Sequence, residues 1–284
     1  MKYIEKNKVI GAVREMVLDS AVNLEKTVCD YLKAAFRTET EPLAKNVLDQ
    51  IIENQDLARK EQIPLCQDTG IAVCFAEVGN QLHFDYDLEA AINEGVRQGY
   101  KEGYLRKSIV GHPLIRINTL DNTPAIFHLK LIAGDELRLH FAPKGGGSEN
   151  MSRLAMLTPG DGKEGVKRFV RETIVLGGGK PCPPLIVGVG IGGNFEKCAL
   201  LAKEAIFRPL GDEAENPEDL ALERELFQEI NALGVGPMGL GGKTTCLAVK
   251  VNSFACHIAS LPVAVNLQCH SARKAHAVLR GEDR

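Results

Sequence analysis

Pro181-Cys182-Pro183-Pro184-Leu185-Ile186-Val187-Gly188-Val189-Gly190-Ile191-Gly192-Gly193 is the stretch whose reading decides the fold. Prolines on both sides hold a cysteine outside regular structure, because proline fixes φ and donates no backbone N–H. The apolar run that follows reads as a short buried strand, and the glycines hand over to a helix predicted over Asn194–Phe207. The cysteine and the glycines point to different chemistries. A thiolate suits a soft metal, whereas a glycine turn between a strand and a helix suits a nucleotide.

The surrounding composition narrows the classes. A chain of 284 residues, 44% hydrophobic and 25% charged, is ordinary for a globular protein and long enough for one large domain or two. A net charge of −3 leaves no nucleic-acid footprint. No apolar run approaches the ~20 residues that span a bilayer. Met1–Lys8 carries charge where a signal peptide has an apolar core. The expected compartment is therefore the cytoplasm, with neither membrane nor nucleic acid as partner. Thiols stay reduced there. The eight cysteines include no Cys-x-x-Cys pair, which removes the zinc-ribbon and thioredoxin signatures. Cys29, Cys74, Cys198 and Cys246 read as inert core residues, since cysteine packs as a small hydrophobe.

Along the chain, Lys8–Phe36 shows helical spacing. Thr40 caps a second helix with Pro42 in its first turn and Leu43, Val47, Ile51 and Leu57 on one face. Residues 1–62 are thus mainly helical, and 63–284 read as a mixed α/β region. Pro64 keeps a helix out of Cys66. Gln67-Asp68-Thr69-Gly70 forms a polar turn ahead of a strand, Ile71–Val78. That turn fits either a reactive site or a plain Asx-turn. Leu88–Tyr104 reads as a helix. Arg106 beyond it is suited to a carboxylate or is simply a solvated helix end. Ala125–Ile132 and Glu136–Ala142 read as strands, with Ala133-Gly134-Asp135 short enough for a hairpin.

The second of these strands runs into Lys144-Gly145-Gly146-Gly147-Ser148-Glu149-Asn150 and a helix-like Met151–Leu157. Glycine N–H groups ahead of a helix, beside a lysine, favour an anion. A flexible loop is the alternative. Lys163–Leu176 and Glu218–Leu233 are predicted helices, and Cys246–Val251 and Pro262–Leu267 predicted strands, with Cys269 at a strand-to-helix junction.

Two nucleotide motifs fail on context. Gly188-x-Gly190-x-x-Gly193 needs a second strand ending in an acid about twenty residues on. Arg208–Pro217 is instead an acidic loop. Gly242-Lys243-Thr244 imitates a P-loop end, but its first glycine would fall on Pro237 and it leads from a helix into a strand. Three cysteines remain at turn or strand-end positions, Cys66, Cys182 and Cys269. Thiolates suit iron–sulfur clusters, and three of them leave one iron for a substrate oxygen. Wide spacing carries no local signature of that arrangement. His257 and His270 are unremarkable on spacing alone.

Together, Pro64–Gly70, Lys144–Asn150, Cys182-Pro183-Pro184 with Gly188–Gly193, and Gly234–Lys243 with Cys269 resemble the alpha subunit of the iron–sulfur-dependent (class I) fumarate hydratases, a family shared with the L-tartrate dehydratase alpha subunit. The resemblance runs from about Leu43 to Arg273. It implies a [4Fe–4S] cluster held by Cys66, Cys182 and Cys269. It also implies a dicarboxylate site lined by Gln67, Asp68, Arg106, Gly146 and His257, with Lys144 beside the glycine loop. Asp68 would be the proton donor, working with His257. The implied reaction is the reversible hydration of fumarate to L-malate, as in the tricarboxylic acid cycle. The Gly-Gly-Gly-Ser-Glu-Asn loop looks like the fumarase version, and L-tartrate dehydration is the alternative.

Single-chain members carry a further C-terminal domain with the proton-abstracting group. A separate beta subunit supplies it in two-subunit members. A chain ending at Arg284 is therefore expected to be one catalytic alpha-subunit domain, 1–284, that works with a beta subunit in a dimer of alpha–beta units. A nucleotide-dependent oxidoreductase and a non-enzymatic iron–sulfur regulatory protein stand as the distant alternatives.

Overall fold

The computed structural model describes residues 1–283. In chain order the elements begin with β1 (Lys2–Tyr3), α1 (Lys6–Val22), α2 (Lys26–Thr38), α3 (Pro42–Glu61), β2 (Ile71–Gly79), β3 (Leu82–His83) and α4 (Leu88–Glu102). They continue with β4 (Ile126–Ile132), β5 (Glu136–Lys144), a single turn α5 (Gly146–Glu149), β6 (Arg153–Leu157), α6 (Gly162–Gly177) and β7 (Leu185–Gly193). The last are α7 (Phe195–Phe207), α8 (Pro217–Ala232), β8 (Cys246–Cys256), β9 (Leu261–Gln268) and β10 (Ala275–Arg280). The fold is mixed α/β. It divides into two compact units, the first made of Met1–Leu24, Gln55–Gly146 and the chain from Arg273, the second of Glu25–Asn54 and Gly147–Ala272.

The first unit holds a four-stranded sheet in the order β10-β5-β2-β4. β2 runs antiparallel to β5 and parallel to β4, and β10 is antiparallel to β5. Alternate residues of β2 (Ala72, Cys74, Ala76, Val78) and of β5 (Leu137, Leu139, Phe141) turn one face to α1 and α4, where Val9, Val13, Val17, Ile92, Val96 and Tyr100 complete the core. Gly95 and Gly99 let the helices meet closely, since a Cβ on either would stand 2.6 Å from Val13 or Val17. Each fully buried aliphatic side chain contributes about 1.5–3 kcal/mol, which makes this interface the main support of the unit.

The expected β4–β5 hairpin does not form. The two strands are not neighbours, because β2 lies between them. Residues 133–135 instead cross the end of β2, where Asn80 N–H donates to Ile132 O at 2.8 Å and Gln81 N–H to Gly134 O at 3.0 Å. Gly79 admits this crossing, since any side chain there would overlap the Gly134 carbonyl.

The second unit has a four-stranded sheet, β6-β9-β7-β8, with helices on both faces. α6 and α8 cover one side through Val166, Val170, Ile174, Leu226 and Ile230, against Val187 and Val189 of β7 and Val249, Val251, Val263 and Val265 of its neighbours. α7 covers the other side, through Cys198 and Ala202 against Ala264. A strand buried on both faces reads as an unbroken apolar run, as β7 does.

Three sequence expectations are corrected here. Met151–Leu157 is not helical: residues 153–157 form β6, antiparallel to β9 with Arg153 opposite Val265. Its Met, Leu and Ala residues favour helix intrinsically, and the ladder overrides that weak preference. Cys269 leads not into a helix but into β10, where Ala275, Ala277 and Leu279 pack inward in strand alternation. A second parallel strand after the glycines does exist. β8 pairs with β7 from Leu185 opposite Cys246 onward, although it follows a loop and α8 rather than α7 directly.

The physical reason for rejecting a nucleotide at these glycines is different. Gly188 and Gly190 lie inside β7, and the space a Cβ would take is filled by the α7 backbone at Ala202 and Cys198. The glycines serve helix-on-strand contact. Gly190→Ala is expected to cost about 1–3 kcal/mol, the usual effect of overpacking. Gly11→Ala, in α1 with nothing within 4 Å of the added carbon, is expected to stabilise by up to about 1 kcal/mol. Urea unfolding followed by circular dichroism distinguishes them, and equal midpoints would contradict the helix-on-strand role.

Candidate active site

In the first unit the site grows from the turn between α3 and β2. Leu65 is buried and its N–H donates to Ala21 O at 2.9 Å, which fixes the chain entering Cys66. At the other end Gly70 takes φ +75°, and a Cβ there would come within 2.8 Å of the Pro143–Lys144 backbone. Only glycine fits that approach. Between these anchors stand Gln67, Asp68 and Thr69. The Cys66 thiol lies 3.4 Å from Gln67 Oε1.

Asp68 is the centre of the turn. Its Oδ1 accepts from Gly70 N–H at 3.1 Å and from Arg106 Nη2 at 3.3 Å. Its Oδ2 accepts from Gly146 N–H at 2.7 Å. One N–H of the glycine loop therefore holds this chain's own carboxylate. Arg106 is more than half exposed and its Nε donates to Ser108 Oγ at 3.2 Å. Lys144 ends β5 with its side chain wholly buried.

Three residues that sequence reasoning missed hold the turn from behind. The Tyr100 hydroxyl is shared between the Thr69 and Gly70 carbonyls, and burial pushes this phenol's pKa well above its ordinary value. Asn122 Nδ2 donates to Gly70 O at 3.1 Å, while its Oδ1 accepts from Ser108 N–H at 2.7 Å. Arg273 is buried, and its Nη2 donates to the Asp68 carbonyl at 2.7 Å. The polar turn Asp121-Asn122-Thr123-Pro124 was a usable signal for Asn122. Arg273 offered none, its partner being 205 residues away.

In the second unit, β7 and β9 are antiparallel with Ile186 opposite Gln268. The segment before β7 and the segment after β9 therefore share one end of the sheet. Cys182 and Cys269 sit there. His270 N–H donates to the Cys182 carbonyl at 3.2 Å, and Gln268 Nε2 lies 3.5 Å from the Cys269 sulfur. Cys182 has φ +56°, a left-handed conformation rare for a residue with a side chain.

His257 follows β8, which runs parallel to β7 with Gly193 opposite Cys256. It lies at the opposite end of this sheet, about 30 Å away at 3.3 Å per residue. There its Nδ1 accepts from Ala259 N–H at 3.1 Å, and it borders a cleft of about 460 Å³ with Cys256, Ile258 and Leu261.

The thiols divide into clear groups. Cys29, Cys74, Cys198 and Cys246 are buried, Cys66, Cys182 and Cys269 half-buried, and Cys256 exposed. Burial pushes the pKa of Cys74 up to about 12 and raises those of Cys198 and Cys246, so these thiols stay protonated and inert. Among the described residues, no three or more His, Cys, Asp or Glu side chains gather as a single metal ion would require. No helix among them is long and apolar enough to cross a membrane.

The family model described as Fumarate hydratase (Fumerase) matches residues 10–278. The chain belongs to this family. A protein of Methanocaldococcus jannaschii, provisionally named L(+)-tartrate dehydratase subunit alpha, is 42% identical over 94% of this chain and 96% of its own length. Proteins named L(+)-tartrate dehydratase subunit alpha from Escherichia coli (strain K12) and Shigella boydii serotype 4 are each 31% identical over 94% of this chain and 89% of their own length. Fumarate hydratase-family membership makes this chain a hydro-lyase of an iron–sulfur-dependent class. Tyr100→Phe is expected to cost about 1–2 kcal/mol by leaving buried carbonyls of the Asp68 turn short of a donor. Urea unfolding measures it, and an unchanged midpoint would show that the phenol does not hold the turn.

Proposed function

We propose that the chain is the alpha subunit of a fumarate hydratase. It would interconvert fumarate and L-malate, with a [4Fe–4S] cluster on Cys66, Cys182 and Cys269 and with a beta subunit completing the site. The observation that carries the reading is Asp68, beside Cys66, tied at once to Arg106 and to the glycine loop at Gly146. The donor set suits the cluster: these three thiols are half-buried in loops, while burial raises the pKa of Cys74, Cys198 and Cys246 and keeps them protonated. Three thiolates of a four-iron cluster bind three different irons, so they need not crowd one point. When bound, the cluster supplies a Lewis-acidic iron without a thiolate, which makes hydroxide a tolerable leaving group.

The chain's own residues do the rest. Arg106, fork-shaped and largely exposed, grips one substrate carboxylate. Gln67 and the glycine loop orient the substrate, and Lys144, buried at the end of β5, anchors the start of that loop. Asp68 hands a proton to the departing oxygen. Oδ1 accepts from Gly70 N–H and from Arg106, and Oδ2 from Gly146 N–H.

The partner rests on the relatives' names, which call each of them subunit alpha, and on the match over 96% of the length of one of them. The proton-abstracting base is assigned to that partner. Those same names favour a second reading, L-tartrate as substrate.

Anaerobic reconstitution should give about four iron per chain, and Cys182→Ser should remove most of it. Unchanged iron in that variant would sink the cluster. Assays of the reconstituted chain with a beta partner should favour malate. A strong tartrate preference would select the second reading, and full activity without the partner would refute the two-subunit site.

His257 lies at the opposite end of its sheet from Cys182 and Cys269, so a share in the same reaction calls for a second copy of the chain. Mixing inactive His257→Ala with inactive Cys182→Ser complexes should then restore activity, up to about one quarter of the sites under random pairing. No recovery would exclude such sharing.

A further inference from the structure

The link between α8 and β8, Gly234–Thr245, is the P-loop imitation that the proposed chemistry does not use. It has an unusual backbone: Gly234, Gly236, Met238, Gly239, Gly241 and Gly242 all take positive φ. It is also firmly anchored. Gly236 N–H donates to Thr245 Oγ at 3.1 Å, Gly241 N–H to Val235 O at 2.9 Å, and Lys243 N–H to Glu39 Oε2 at 2.7 Å. Glu39 is buried. Burial alone would raise its pKa, but N–H bonds from Glu41, Lys243 and Thr40 outweigh this and hold the carboxyl below its usual range.

The tip of this loop lies on the segment that carries Cys182. Met238 N–H donates to the Pro183 carbonyl at 2.8 Å. Gly179 faces it so closely that a Cβ there would stand 2.6 Å from Met238 O and 3.3 Å from Gly239 Cα. Gly179 in turn accepts from Cys182 N–H at 3.0 Å, and the Cys182 carbonyl accepts from His270 N–H at 3.2 Å. A non-glycine residue in the left-handed region is strained and persists only where its surroundings hold it. Cys182 is held from both sides.

We infer that the Gly236–Gly242 loop is a positioning clamp for the cluster ligands, fixing the left-handed Cys182 beside Cys269 by backbone contact alone. The inference rests on the reading that these two thiols hold the cluster. The clamp acts without touching iron or substrate. It accounts for Gly239 of the loop and for Gly179 facing it, since side chains at either would push the two backbones apart.

The test uses the reconstituted complex and its cluster-free form. Gly179→Ala should lower iron retained after desalting by at least about threefold and speed hydrogen exchange at the Met238 and His270 amides by about tenfold, roughly the loss of one hydrogen bond. Gly241→Ala meets nothing within 4 Å of its new carbon and should leave both readouts near wild type, although it strains the same loop. Should Gly179→Ala fail to fold, Thr245→Val removes the hydroxyl that receives Gly236 N–H and should act in the same direction, with Thr245→Ser restoring wild-type behaviour. Full iron retention despite lost amide protection overturns the clamp, and so does unchanged protection in Gly179→Ala. Unchanged iron in Cys182→Ser would instead defeat the cluster reading beneath it, leaving the exchange data to report on the loop contact alone.

Discussion

Ile186 opposite Gln268, in the antiparallel pairing of β7 with β9, is the constraint on which the second unit depends. It brings the chain entering β7 and the chain leaving β9 to one end of the sheet, so two cysteines 87 residues apart (269 − 182) become neighbours. The parallel pairing of β7 with β8 adds the Gly234–Thr245 loop to the same end, with Leu185 N–H donating to Thr245 O at 2.9 Å. That pairing also sends His257 to the other end. A one-residue slip would turn the valines that meet α6 and α8 toward α7, whose backbone leaves room only for Gly188 and Gly190, so the packing of α6 and α8 on one face and α7 on the other holds the register. Helix packing thereby sets the thiol geometry.

The first unit solves a different problem, that of fixing a carboxylate in a polar turn. Asp68 is not buried among apolar groups, which would strip its charge of solvation. It stands at a turn whose carbonyls are tied to Tyr100, Asn122 and Arg273, and its oxygens meet backbone N–H groups and Arg106. A carboxylate fixed by backbone and buried side chains is already oriented, so the proposed proton transfer would need little reorganisation. The α1–α4 helix pair supports this indirectly, since it buries the ring of Tyr100 whose hydroxyl holds the turn.

Glycine serves three separate ends in this chain. At Gly70 it allows a sharp approach to β5, at Gly188 and Gly190 it admits a helix onto a strand, and at Gly179 and Gly239 it lets two loops touch backbone to backbone. In sequence these positions look alike, which is why the stretch over Gly188–Gly193 matched a nucleotide fingerprint and Gly242-Lys243-Thr244 a phosphate loop. What a glycine is for depends on which atoms occupy the space its side chain would need. Those atoms come from residues far along the chain.

The sequence by itself determined the α/β class, most helices to within a few residues, the proline-bounded Cys182, the polar turn after Cys66 and the family. All of these follow from covalent neighbours or short periodic patterns. Only the tertiary structure decided that β2 separates β4 from β5, that Arg153–Leu157 is a strand, and that Cys269 leads into β10. It alone set Gly146 on Asp68, placed Cys182 beside the Cys269 loop, and put His257 at the far end of its sheet. The physical reason is that strand order and register are selected by hydrogen bonds and side-chain packing summed over residues remote in sequence, and no local window contains that sum.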